Sequence, residues 1–314
     1  MIHPSANAVP KLSRLMGGRA MAIFGAGALA AALAPLAAGP DQGILGAFAI
    51  YFVWVTLAVS WNVAGGFAGL LNLGIVAFFG LGVAVAGAGL QSGLPLPGVV
   101  ALSALAGASL AVILFPTFRL KSFYFAIGTF VIPFMVKPLV ELVGGSAVSL
   151  VPEADILSSS QLYYAGLALA AFSVFGVFLL MNSRTGLALK TIGADEVASS
   201  GVGVNVAKYK AVALIASGAL ASLAGMYYLE IAGTVDTTIF QNLNFSLLPL
   251  FMVIIGGIGT IEGPVIGALF YSVLSYFITS QFPGSTADVF VLSVAVIAVA
   301  ILRPRGLASR VVRR

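Results

Sequence analysis

Apolar residues in this chain neither alternate nor keep to one helical face. They form long unbroken blocks separated by short polar breaks. A helix needs about 20 residues to cross roughly 30 Å of hydrocarbon, so blocks of this size predict membrane-spanning helices. Ten are predicted, over 21–38, 44–64, 67–90, 97–115, 122–143, 161–181, 211–232, 243–258, 264–282 and 287–302. The run at 243–258 is short and the one at 67–90 is interrupted around Asn72, so each is a candidate re-entrant or broken helix, with eight or twelve spans as the alternatives. The first block has a basic start and ends in Ala37-Ala38-Gly39, the shape of a secretory signal. Its apolar length, with no soluble domain after it, favours a retained first helix.

Composition narrows the class. Of 314 residues 60% are hydrophobic and 8% charged, against about 45–50% and about 25% in soluble domains. A water-soluble fold and a disordered chain are both excluded, and without cysteine there is no disulfide scaffold. The expected fold is an all-α polytopic membrane protein. The net charge of +5 does not point to nucleic acid, because the basic residues sit at the ends of apolar runs and not in an aromatic-interleaved stripe. With the amino terminus placed inside, alternating sides put every Lys and Arg but Lys137 in the cytoplasm. The outside then receives Asp41, Glu153, Asp155, Asp236 and Asp288. Positive charge on the inner loops sets orientation, which predicts an even number of spans with both termini cytoplasmic. The expected organisation is a cytoplasmic arm at 1–20, a transmembrane domain at 21–302 with an inner loop at 182–210, and a basic tail at 303–314.

Candidate chemistry is sparse. The lone histidine, His3, lies in the amino-terminal arm and there is no P-loop sequence, so no metal centre, cofactor or intrinsic nucleotide motor is expected. No nucleophile, base and oxyanion donor are arranged together, so no catalytic residue is expected. Lys137 and Glu141, four apart on one helix, are placed to neutralise each other. Glu141 and Glu230 are the acids a proton or ion relay would use, but both fall near outer boundaries where interfacial pairing is the simpler role.

Glycine says more. One cluster runs Gly65, Gly66, Gly69, Gly74, Gly80, Gly82, Gly87 and Gly89, with Asn62 and Asn72 among them. A second runs Gly256, Gly257, Gly259, Gly263 and Gly267, with Thr260, Pro249 and Pro264. Small residues at such spacings let helix backbones approach closely. Gly, Pro and Asn together also loosen a helix, and two interrupted segments in separate halves point to a transport pathway. Both readings stand. The inner segment 182–210 carries Leu187, Leu189, Ile192, Val197 and Ala198, which predict short helices with an apolar side, and Asp195 and Glu196 suit the first turn of the second. An amphipathic element on the ATP side is a candidate docking surface for a soluble partner.

Four stretches resemble the membrane permease subunits of ATP-binding-cassette importers for branched-chain amino acids, in particular the M-type member of the permease pair. They are Asn62 through Gly89, containing Gly-Phe-Ala-Gly-Leu-Leu-Asn-Leu-Gly and Phe-Phe-Gly-Leu-Gly; Ser122 through Thr129; Arg184-Thr185-Gly186 through Gly201; and Gly256-Gly257-Ile258-Gly259-Thr260 with Gly263-Pro264 and Gly267-Ala268. The ending Arg303-Pro304-Arg305-Gly306-Leu307 is similar too, so the likeness covers about 44–307. It departs from the family pattern where Asn72 replaces a usual serine, and from the Glu-Ala-Ala-x-x-x-Gly pattern of the broader importer class where Gly201 falls one position early after Glu196-Val197-Ala198.

The resemblance implies a non-enzymatic transport subunit of the bacterial inner membrane, in a type II importer-like fold with two related halves. It implies a second, H-type permease subunit, two ATPase subunits that hydrolyse ATP, and a periplasmic or extracellular binding protein. Arg184, Thr185, Gly186, Lys190, Asp195, Glu196 and Gly201 would couple to the ATPases. Asn72, Gly74, Tyr124, Thr129, Gly256, Gly257, Gly259 and Thr260 would line the pathway. Urea, short amides or another small polar solute are alternative cargoes, and an ion-coupled secondary transporter or a passive facilitator is the alternative class.

Overall fold

The computed structural model describes residues 42–119, 122–144, 148–152, 157–281, 287–302 and 307. The predicted helix at 21–38, the arm before it and the basic residues of the tail lie outside the described residues. The elements are α1 (Gln42–Asn62), α2 (Ile75–Gln91), α3 (Leu96–Ile113), α4 (Ser122–Gly144), β1 (Val148–Leu150), α5 (Ser159–Met181), α6 (Arg184–Ala194), α7 (Glu196–Gly201), α8 (Val206–Ala232), β2 (Thr234–Asp236), α9 (Asn244–Gly256), α10 (Glu262–Gln281) and α11 (Ala287–Leu302). The strands pair antiparallel, Ser149 opposite Val235, and are the one sheet among the described residues.

Six helical stretches are long and apolar enough to cross a membrane: Gly43–Phe67, Leu96–Ile113, Phe123–Leu142, Ser159–Met181, Val206–Ala232 and Glu262–Gln281. The helices Ile75–Gln91 and Asn244–Gly256 are apolar but shorter. With 13 residues, α9 reaches about 20 Å, short of roughly 30 Å of hydrocarbon. The run at 67–90 becomes α-helix only at Ile75, because Gly69 takes a positive φ of 69° and the chain through Gly74 is not helical. The run at 211–232 extends the other way, back to Val206. There Asn205 caps the helix by accepting from Lys208 N–H at 3.1 Å, and Lys210 finds an ion-pair partner.

Two helices form the centre. In α8 72% of the spanning window is buried and in the α1 stretch 61%, while the other four windows stand at 28–33% and turn apolar faces outward. Outward-facing Phe, Leu and Val on a helix this apolar belong against lipid or another membrane subunit. Close approach around α8 depends on glycine. A methyl group at Gly82 of α2 would lie 1.9 Å from the Ser222 carbonyl oxygen, and one at Gly225 the same distance from that of Phe79. Serine hydroxyls bind the helices where they touch: Ser60 donates to the Ser217 carbonyl at 2.6 Å, and Ser222 to that of Ser103 at 2.6 Å.

The connections gather at two ends. One holds β1 and β2, the Lys137–Gln241 bond of 3.3 Å and the bond that Thr237 Oγ1 donates to Glu141 Oε1 at 2.6 Å. The other holds α6, α7, the exit from α1 and the turn between α9 and α10.

Candidate functional site

The first interrupted segment begins where α1 widens into a π-helical turn, Val63–Phe67. Such turns are uncommon and occur often at functional sites. Gly65 and Gly66 permit it. A side chain at Gly65 would meet the Trp61 ring at 2.5 Å, and one at Gly66 would meet Asn62 Oδ1 at 1.9 Å. The chain then doubles back through 68–74 on bonds of its own: Leu70 N–H donates to Ala64 O at 2.9 Å and Trp61 Nε1–H to Asn72 O at 2.8 Å. Gly74 N–H donates to the Asn72 side-chain oxygen at 2.9 Å, and Leu73 N–H to Thr129 Oγ1 at 3.2 Å. Thr129 lies seven positions into α4, about 10 Å along its axis. Irregular backbone at that depth survives only where protein satisfies it, as it does here. A methyl at Gly74 would sit 2.0 Å from the Thr129 carbonyl oxygen.

Asn72, Gly74 and Thr129 are therefore one cluster, and Asn72 Nδ2 is buried with no hydrogen-bond partner among the described residues. Tyr124 is not part of it. It points out of the bundle, 61% exposed, five positions from the buried Thr129 on the same helix.

The second interrupted segment is the turn between α9 and α10. Gly257 and Gly259 hold φ of 132° and 69°, conformations that side chains disfavour. Thr260 Oγ1 donates to Gly257 O at 2.8 Å and accepts from Gly263 N–H at 3.0 Å. A methyl at Gly256 would fall 1.8 Å from Gly263 O, and one at Gly267 1.8 Å from Met252 O.

The two segments meet through a residue that sequence reasoning had only grouped with the glycines. Asn62, at the end of α1, donates Nδ2–H to Thr260 O at 2.7 Å and accepts Gly259 N–H on Oδ1 at 3.0 Å. An asparagine placed just before a loosened Gly-Gly turn was its one visible signal.

Between α5 and α8 the chain folds as two short helices, α6 and α7. Ser183 caps α6 by accepting from Gly186 N–H at 3.4 Å, and Gly186 must be small because a methyl would stand 2.3 Å from Met181 Cα. Leu189 and Ile192 are buried beneath α6, while Leu187 is exposed on it. Asp195 caps α7, accepting from Ala198 N–H at 2.9 Å. Glu196 pairs with the buried Lys210 of α8 at 2.6 Å. Arg184, Lys190, Asp195, Glu196 and Gly201 are exposed, and Thr185 is half-buried. At its far end α6 touches the first interrupted segment, since a methyl at Gly193 would stand 2.4 Å from Phe67 O.

At the opposite end Lys137 and Glu141 stand 4.0 Å apart in a small polar network with Gln241 and Thr237. Hydrogen bonds from the Thr238 hydroxyl and N–H hold the Asp236 carboxyl below its ordinary 3.8.

A family model described as "Branched-chain amino acid transport system / permease component" matches residues 43–300. Among curated proteins, the chain is similar to the high-affinity branched-chain amino acid transport system permease protein LivM of Salmonella typhimurium. The two are 28% identical over 295 residues, covering 81% of this chain and 67% of that one. LivM of Escherichia coli is 26% identical over 307 residues, covering 85% and 70%. No solved structure matches the chain.

Proposed function

The chain belongs to the family of permease components of branched-chain amino acid transport systems, and from that premise we propose how its parts divide the work. It is the M-type membrane subunit of an ATP-driven importer in the bacterial inner membrane. It crosses ten times, counting the block at 21–38, in two related halves with both termini in the cytoplasm. A second, H-type permease subunit completes the pathway. Two ATPase subunits dock beneath the permease pair, one of them against α6 and α7 of this chain, and hydrolyse the ATP, and a binding protein delivers the amino acid to the opposite face.

One observation carries this reading. The end of α6 packs at Gly193 on the Phe67 carbonyl, and the segment it touches is hydrogen-bonded through Asn62 to the turn at 259–260. Force applied to α6 from below is therefore delivered to both interrupted segments. In this reading Arg184, Lys190, Asp195 and Gly201 are the exposed docking face, Thr185 and Gly186 seat α6, and Glu196 ties α7 to α8 through Lys210. Asn72, Gly74 and Thr129 stand beside the path with Gly256, Gly257, Gly259 and Thr260. Tyr124, exposed on α4, meets the path only where the second permease subunit packs on that face.

An ATPase can shift such a pathway only by binding its two states unequally. The test is co-purification with the ATPase subunits, the H-type permease and the binding protein in lipid. The expected result is retained ATPases whose hydrolysis rises when binding protein loaded with leucine is added. Hydrolysis indifferent to the loaded binding protein, in a complex that assembles, would refute the reading.

A further inference from the structure

The contact between the two interrupted segments has two components with different mechanical properties. Gly66 and Gly259 touch: a methyl built at Gly259 would lie 3.1 Å from Gly66 O, and one at Gly66 2.8 Å from Gly259 N. A van der Waals contact of this kind resists compression and transmits no pull. The other component is the Asn62 carboxamide, which holds Gly259 N–H and Thr260 C=O at once, at 3.0 and 2.7 Å. Hydrogen bonds resist separation as well as approach.

The chemistry at this spot is narrow. The site needs one acceptor and one donor on a planar group, because the facing backbone offers an N–H and, one residue on, a carbonyl. Aspartate keeps the acceptor and sets a carboxylate against the Thr260 oxygen. Alanine offers neither group, and glutamine offers both at the end of one extra methylene. The anchor is firm on both sides. Asn62 is 1% exposed at the start of the π-helical turn that α6 presses through Phe67. Thr260 is fixed in turn by its hydroxyl bonds to Gly257 O and Gly263 N–H.

We infer that Asn62 is a positioning residue for transport: its carboxamide clasps the turn at 259–260 to the end of α1, so that a stroke received by α6 moves both interrupted segments together. The inference rests on the permease function proposed above. Without the clasp, α6 still drives the first segment, the second lags, and ATP is spent without matched movement of amino acid.

The test compares Asn62→Ala, Asn62→Asp and Asn62→Gln in the assembled transporter in proteoliposomes, reading leucine uptake and ATP hydrolysis in the same vesicles. Hydrogen exchange is followed in parallel on the chain alone in lipid nanodiscs. Asn62→Ala and Asn62→Asp are expected to keep hydrolysis stimulated by the loaded binding protein while uptake per ATP falls about fivefold or more, the lower range for coupled sites. Asn62→Gln is expected to recover part of that ratio. The amides of 259–263 should exchange faster in Asn62→Ala, while those of α8 around Leu214 to Leu229 stay as protected as before. A wild-type ratio of uptake to hydrolysis in Asn62→Ala would overturn the inference. So would unchanged protection at 259–263, which is read without any partner and decides the matter even if a variant fails to assemble. Failure of the unsubstituted complex to couple hydrolysis to loaded binding protein would refute the permease reading instead.

Discussion

Gly256→Ala places one methyl group where α9 turns into α10, and the structure sets the size of the disturbance. That methyl would lie 1.8 Å from the Gly263 carbonyl oxygen, 2.4 Å from its carbon and 2.9 Å from Gly263 Cα. Ordinary carbon–oxygen contact is about 3.3 Å, so the two backbones must part by about 1.5 Å. All three neighbouring atoms are backbone, so no side chain can rotate away. One turn further along, Gly267 faces Met252 O as closely, at 1.8 Å for the same added methyl, so the helix pair cannot pivot about its next contact without losing that one too. Overpacking of a close interface costs about 1–3 kcal/mol. The helix preference of alanine over glycine returns at most about 1 kcal/mol. With the full return, a net loss of up to about 2 kcal/mol follows, read as a lower unfolding temperature in a fixed detergent, together with reduced uptake from the moved turn at 257–260. Gly201→Ala is the matched control, since nothing lies within 4 Å of a methyl there. It is expected to leave stability unchanged or slightly raised. Gly256→Ala with wild-type unfolding temperature and wild-type uptake would refute the reasoning from close approach.

Two further predictions concern charge. Glu196→Gln leaves the buried Lys210 ammonium facing a neutral group, whereas Lys210→Met removes the buried charge and keeps most of the packed stem. Glu196→Gln should therefore be the more destabilising, by up to about 1 kcal/mol because Glu196 is half exposed. Both should expose 195–203 to limited proteolysis. The Asp236 carboxyl, held below 3.8 by Thr238, contributes stability that is fully present above that ordinary value and is lost as pH falls through its own lower one. A carboxyl carbon titration by NMR is expected to fall below 3.8, and Thr238→Val to move it back up.

Element by element, the reasons for success and failure differ. Helix positions were legible because bilayer thickness is written into the length of an apolar run, and the short helices of 182–210 because Leu187, Leu189, Ile192, Val197 and Ala198 recur at helical spacing. That Ser183 and Asp195 cap them, with Asp195 just before the first turn and not in it, came from the structure. The breaks were legible from Gly and Asn clusters, since those residues release backbone that others hold. The run at 67–90 shows the limit. Hydropathy counts Phe67 to Leu73 as part of one apolar run but says nothing of backbone conformation, and these residues are mostly not helical. Tyr124 and Thr129 show another. A helix apolar all round carries no sign of which face is covered, so exposing one and burying the other was left to the neighbours.

By itself, then, the amino-acid sequence determined that this is a chain of apolar helices suited to a membrane, roughly where those helices lie and where they are interrupted. Those properties follow from local hydrophobicity, charge and backbone freedom. Only the tertiary structure decided that Asn62 reaches Gly259, 197 positions away, and that α6 bears on Phe67. Hydrogen-bond partners of that separation are chosen by the packing of α1, α8, α9 and α10 together, and no short stretch of chain contains that information.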